Sequence, residues 1–225
     1  MKLLLPLLLV SSFAAKANQV DIDNIEQAAM QLNSIELVSL TKQTSGYDQA
    51  LAYYRLAISQ NLQSQSKEAS QNLDLAIEQL ENITKQDEND DEAWALLAQV
   101  YGLKIAYQPM KAAYYGPKSG KALAAALAIN HENPRVYLVQ GISLYNTPAM
   151  FGGSKSAALS AFNQSIALYH QDSSDTAWGQ AEVHVWRGLT NLALNQTDQA
   201  LTDWYSALAI EPNYGWAKML ISQNK

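Results

Sequence analysis

Ala181–Pro212 reads AEVHVWRGLTNLALNQTDQALTDWYSALAIEP, and its spacing decides the fold. Gly188 is followed twelve positions later by Ala200, then by Trp204, Ala207 and Pro212. Small residues at Gly188 and Ala200 let two helices approach backbone to backbone. Trp204 fills the space beside them and Ala207 keeps the second helix close. Pro212 stops that helix, because proline has no amide hydrogen to continue the ladder.

Working outward, the same pattern returns with variations. Ala126-Leu127-Ala128-Ile129 aligns without a gap on Ala207-Leu208-Ala209-Ile210. Trp94, Leu97, Ala98 and Tyr101 give the bulky and small positions of an earlier first helix. Pro134 suits the first turn of the next unit, where Tyr137, Gly141 and Leu144 are followed by Ala158, Phe162 and Ser165. Tyr214–Ser222 has the place of a terminal cap, which a stack needs to cover its apolar end. Toward the N-terminus, Asp21 or Asp23 caps a single helix running to about Leu40, with Ile22, Ile25, Ala29, Leu32 and Ile35 as its stripe. Gly46 breaks it. A second helix carries Ala50, Tyr53, Tyr54, Leu56 and Ala57, and a third, Glu68–Lys85, carries Leu73, Ala76, Ile77, Leu80 and Ile83. The acidic run Asp87–Glu92 reads as a solvated turn whose last acids sit at a helix N-terminus. No strand alternation or hairpin signal occurs.

The Gly188-Ala200-Trp204-Ala207-Pro212 and Trp94-Leu97-Ala98-Tyr101 spacings resemble the tetratricopeptide repeat, a helix–turn–helix unit of about 34 residues. The resemblance runs from about Tyr47 to the C-terminus and implies an all-α stack of antiparallel helix pairs, an irregular α-solenoid. Residues 18–225 then form one domain: divergent helices over 18–90, units over 91–133, 134–180 and 181–214, and a capping helix over 215–225. Unit starts at Asp91, Pro134, Ala181 and Gly215 lie 43, 47 and 34 residues apart, so two intervals exceed the family period. The surplus falls in Lys104–Tyr115 and Asn146–Gly153. The chain also resembles bacterial exported repeat proteins with long inter-helix loops carrying a Thr-Pro…Phe-Gly-Gly element.

The resemblance implies a concave groove, lined by each unit's first helix, that takes a peptide or partner protein. Residue by residue it maps onto Glu92, Ala95, Gln99 and Leu103, then Arg135, Leu138, Ile142, Tyr145 and Asn146, then Glu182, Val185 and Leu189. That lining is mixed and mostly apolar, suited to an extended apolar segment, with Arg135 and Gln99 for backbone or acidic contacts. The Lys/Asn set with which some members clamp a C-terminal carboxylate is missing. Trp94, Tyr101, Tyr137, Phe162, Trp186 and Trp204 fall where helix packing wants bulk and read as core. Tyr107, Tyr114, Tyr115 and Phe151 lie in the surplus segments and Trp178 leads into the last unit; all five are candidate loop contacts. Those segments either close over one end of the groove or fill gaps left by irregular units.

Composition narrows the chemistry. Cysteine is absent, which excludes disulfides, thiolate chemistry and Cys-ligated metals. A formal charge of −6 argues against nucleic acid as a partner. His131, His170 and His184 are dispersed, so neither a metal site nor any cofactor is expected. Lys2, the apolar run Leu3–Ala15 and Ala15-Lys16-Ala17 form an export signal over residues 1–17, cleaved between Ala17 and Asn18. That predicts a periplasmic or secreted protein without stable membrane insertion after cleavage.

No catalytic residues emerge. There is no Walker glycine loop, His-Glu-x-x-His or Gly-x-Ser-x-Gly. Phe151-Gly152-Gly153-Ser154-Lys155 lacks the first glycine and preceding strand of a phosphate loop. Glu182 and His184, two apart on a helix, point in different directions. The sequence therefore predicts a non-catalytic, exported scaffold that binds a protein or peptide. The alternative is a periplasmic module for a small ligand, accessory to a transporter, with its tyrosine-rich segments covering an apolar pocket.

Overall fold

The computed structural model describes residues 17–174 and 176–224. The expected export signal lies, apart from Ala17, outside the described residues. Among them, regular structure is entirely helical: α1 (Gln19–Met30), α2 (Ser34–Gln43), α3 (Gly46–Leu62), α4 (Ser66–Gln86), α5 (Asp91–Tyr107), α6 (Ala112–Ile129), α7 (Pro134–Asn146), α8 (Lys155–Tyr169), α9 (Gln180–Ala193), α10 (Thr197–Ile210) and α11 (Gly215–Gln223). Two 3₁₀ turns, Pro109–Lys111 and Ala149–Phe151, join α5 to α6 and α7 to α8.

Four helix pairs, α3–α4, α5–α6, α7–α8 and α9–α10, stack in series and α11 packs on α10. The first helices α3, α5, α7 and α9 touch one another in succession. One apolar core runs from Ile22 and Ile25 through Leu51, Leu73, Leu96 and Leu138 to Phe162 and Val183. A smaller core under α9–α11 gathers Val185, Ala200, Trp204, Ala207, Ala217, Leu220 and Ile221.

The close helix contacts rest on the small residues. An ideal Cβ on Gly188 would lie 2.3 Å from Trp204 Nε1 and 3.0 Å from the Ala200 carbonyl oxygen, and one on Gly141 would lie 2.4 Å from Phe162 Cε1. Gly141–Phe162 in α7–α8 is thus the counterpart of Gly188–Trp204 in α9–α10. Starts and stops follow local rules. Asp90 caps α5 through the Ala93 amide, and Asn133 caps α7 through the Arg135 amide.

Two expectations are corrected. The single N-terminal helix is α1 and α2, parted at Leu32, which adopts a left-handed φ of 53°. There the Asn33 amide reaches the Ala28 carbonyl and the Leu32 amide the Ala29 carbonyl, a Schellman stop. The same pair of bonds ends α3 at Ser64 and α9 at Asn195. An apolar stripe crosses Leu32 without a break, so periodicity alone reads straight through. Second, Lys104–Tyr115 is not an extended insertion. The α5 helix continues to Tyr107 and α6 begins at Ala112, with Pro117 early inside it. A proline there gives up one bond of the ladder, and the helix runs on past it.

Candidate functional site

The inner side formed by α3, α5, α7 and α9 is not an open groove along its whole length. The α1 helix packs on α3 and reaches across to the segment before α9. Its Glu26 accepts two bonds from Arg55 on α3, at 2.6 and 2.9 Å, and Arg55 Nη2 donates to Glu182 Oε2 on α9 at 2.9 Å. The guanidinium lies 5.1 Å from the Tyr54 ring centroid and 5.5 Å from that of Trp178. Gln19 exchanges hydrogen bonds with the backbone of Ala177, and Trp178 Nε1 donates to the Tyr47 hydroxyl at 2.7 Å. A Cβ on Gly215 would lie 3.8 Å from the Met30 carbonyl oxygen, so the start of α11 borders the end of α1. Burial pushes the Glu26 carboxyl up, against the pull of Arg55.

A second ion-pair cluster ties α5, α7 and the turn after α8 together. Arg135, 1% exposed, donates to both oxygens of Glu92, to Asp172 at 2.6 Å and to Ser174 at 2.8 Å. Burial raises the Asp172 carboxyl, but the Arg135 hydrogen bond and charge outweigh it and hold the group below its ordinary range.

Most of the expected groove residues are therefore part of the packing. Gln99 is buried and donates to the Tyr54 hydroxyl at 3.0 Å. Leu138, Ile142 and Val185 are core, Leu103 is half-buried against it, and Arg135 and Glu182 are held in ion pairs. Asn146 is exposed but donates back to the Ile142 carbonyl. Of the candidate loop contacts, Trp178 and Tyr115 are buried and Tyr107 is half-buried, while Tyr114 and Phe151 are exposed. Two clefts, of about 470 and about 400 Å³, are lined by neither surplus segment. The inner side closed because Arg55 and Glu182, 127 positions apart, meet; no local spacing announces that.

One inner stretch stays aromatic and half-buried. Tyr145 of α7, Trp186 of α9 and Trp216 of α11 stand edge to face, with ring centroids 5.6 and 5.3 Å apart, and Tyr214 continues the row at 6.4 Å from Trp216. Helices α7, α9 and α11 thus each contribute a ring. Edge-to-face pairing fixes the rings against each other while leaving part of each face free. Lys155 closes one end: its ammonium sits 3.3 Å from the Tyr145 ring centroid and donates to the Tyr145 carbonyl. Burial pulls the Lys155 ammonium below its usual range. Glu182 lies beside the row, accepting from Trp186 Nε1 at 3.3 Å. The connecting turn before Lys155 carries Met150 and Phe151, both largely exposed. Such a row takes apolar groups against its rings, with the Lys155 ammonium at one end for a polar contact.

On sequence grounds Tyr145 belongs to the groove and Trp186 to the core, while nothing in the repeat spacing marks Trp216 or Tyr214. The available signal was position: Trp186 is one turn beyond Glu182, and Tyr214-x-Trp216 opens the helix after Pro212. Among the described residues, no group of three or more His, Asp or Glu is placed to hold a metal ion, and no helix is long and apolar enough to cross a membrane.

The sequence matches no protein-family model and no curated protein. Solved structures do match. A thermophilic TPR protein from Thermus thermophilus is 17% identical, with 90% of this chain and 98% of that chain covered and a TM-score of 0.54. The fold is the tetratricopeptide-repeat fold. The HusA haemophore from Porphyromonas gingivalis is also similar, at 22% identity and a TM-score of 0.57, covering 82% of this chain and 96% of that one. In the tetratricopeptide stack of this protein, α1 covers the α3 side of the inner face and the aromatic row marks the α7–α11 side.

Proposed function

We propose that this protein is an exported, non-catalytic scaffold that binds an extended, aromatic- or aliphatic-rich segment of a partner protein on the row Tyr145–Trp186–Trp216–Tyr214. The observation that carries the reading is the row itself: α7, α9 and α11 each present a half-buried ring, edge to face with the next. Apolar side chains of a bound segment pack against such rings, and Lys155 supplies a polar contact at one end. The tetratricopeptide fold supports the reading because its inner helices form a continuous surface. Export to the periplasm rests on the N-terminal sequence pattern.

The test is a peptide selected by display on the purified protein, then titrated calorimetrically. Binding should weaken at least tenfold in Trp186→Ala and in Trp216→Ala, and stay unchanged in Tyr114→Ala, an exposed tyrosine remote from the row. Equal affinity in all four proteins rejects the site.

A second reading places a flat conjugated ligand on the same rings. It is favoured by the neighbouring aromatic rings of the row, and haemin is the natural probe because a haemophore shares the fold. Haemin that binds stoichiometrically and is lost with Trp186→Ala supports it; haemin binding that survives both tryptophan substitutions rejects it.

A further inference from the structure

We propose that Ala17–Asn18 is a processing site whose cleavage sets a free α-ammonium on Asn18 against the buried carboxylate of Asp48, locking the start of α1 onto α3. The inference rests on the export reading above and adds what export does to the fold.

Two independent observations meet at this one bond. The sequence supplies the small-x-small pattern Ala15-Lys16-Ala17 immediately before it. The structure places the main-chain nitrogen of Asn18 2.9 Å from Asp48 Oδ2. Asp48 is 4% exposed, and its other oxygen, Oδ1, is buried with no hydrogen-bond partner. A buried carboxylate with an orphaned oxygen is costly, and native proteins ordinarily satisfy it.

An amide nitrogen has one hydrogen, and Oδ2 has already taken it. Hydrolysis changes the donor. Water attacks the Ala17 carbonyl, the C–N bond to Asn18 breaks, Ala17 leaves as a carboxylic acid and Asn18 takes up protons to become an ammonium. That group has three hydrogens and a full positive charge at the same position. One hydrogen keeps Oδ2 and a second comes within reach of Oδ1, so the carboxylate gains a second donor and a full positive charge beside it.

The charges around the site favour this exchange. Asn18 is the N-cap of α1 and Asp21 lies in its first turn. A bare cation at a helix N-terminus is opposed by the macrodipole; here Asp48 lies directly on it. While a peptide bond precedes Asn18, burial is the main influence on the Asp48 carboxyl and pushes it up to about 6, with the Asn18 hydrogen bond lowering it and the Asp21 charge raising it. In the uncut chain the carboxylate thus bears the cost of its burial, which the ammonium of the cut chain offsets. Since α1 covers the inner side through Glu26 and Gln19, seating its first residue also sets the border of the aromatic row.

The test starts with the full chain exported from a bacterial host and characterised by intact mass and N-terminal sequencing. The expected product begins at Asn18. Its α-amino group, followed by NMR, should titrate at least one unit above the ordinary value of about 8, and Asp48→Asn should remove that shift. Chains released from a cleavable fusion to begin at Ala17 or at Asn18 complete a cycle with Asp48→Asn. The Asn18 chain should melt higher than the Ala17 chain with Asp48 present, and the difference should vanish with asparagine. A product that begins elsewhere overturns the processing site and leaves export standing, and one that keeps its N-terminus overturns both. An α-amino group that titrates at its ordinary value, or a melting difference that survives Asp48→Asn, overturns the ion pair and leaves export standing.

Discussion

Trp204 occupies the space that a side chain on Gly188 would need: an ideal Cβ there lies 2.3 Å from its Nε1 and 2.7 Å from its Cδ1. Trp204 is fully buried and its indole is also held by the Val185 carbonyl, so it has nowhere to retreat. Gly188→Ala should cost about 1–3 kcal/mol, the range for overpacking a core, read as a lowered thermal midpoint by circular dichroism. Trp204→Leu should cost stability on its own, yet the double variant should lose less than the sum, because the two residues share one space.

Arg55 is the pin that holds α1 across the inner side. Its side chain is 8% exposed, and those of Glu26 and Glu182 are 12% and 9% exposed. Arg55→Met leaves two buried carboxylates without a partner, a loss of about 3–5 kcal/mol in urea unfolding. Hydrogen exchange should quicken in Gln19–Met30 before it quickens in α9–α10. Adding Glu26→Gln and Glu182→Gln should restore much of the stability, since the cost lies in the unpaired charges.

The pair geometry of α9–α10 was legible because it is local: Gly188, Ala200, Trp204 and Ala207 all act within one unit. The same holds for Trp94, Leu97, Ala98 and Tyr101. The stop at Leu32 was not legible, because a left-handed residue there is usually glycine or asparagine, as Asn195 is at the end of α9. The full lengths of α5 and α6 were hidden because the helices part only at a short turn over Pro109–Lys111, while Pro117 lies inside α6. Least legible was the site. Periodicity says that Trp186 faces inward, but not that α1 folds back over the neighbouring lining and leaves this ring beside Trp216.

The pH dependence of the uncut chain follows from Asp48. With a residue before Asn18, its carboxyl is raised from 3.8 to about 6. Between those values the folded chain holds a proton that the unfolded chain has released. Stability must therefore fall as pH rises from about 4 to about 6. Burial raises Glu26 and Glu92 as well, so they contribute in the same direction. Thermal midpoints of the chain beginning at Ala17 should show this slope, and Asp48→Asn should flatten it. The chain beginning at Asn18 should show less of it, since the ammonium holds Asp48 ionised.

The five tryptophans make the most direct test of where a guest docks. Trp204 and Trp178 are buried, Trp94 donates to the Glu88 carbonyl, and Trp186 and Trp216 stand in the aromatic row. Their indole N–H resonances, assigned by single substitutions, report on all five positions in one titration with the selected peptide. The account predicts that the Trp186 and Trp216 signals shift saturably while those of Trp94, Trp178 and Trp204 stay in place. Saturable shifts at Gln99 and Leu103, with Trp186 and Trp216 unmoved, would contradict it.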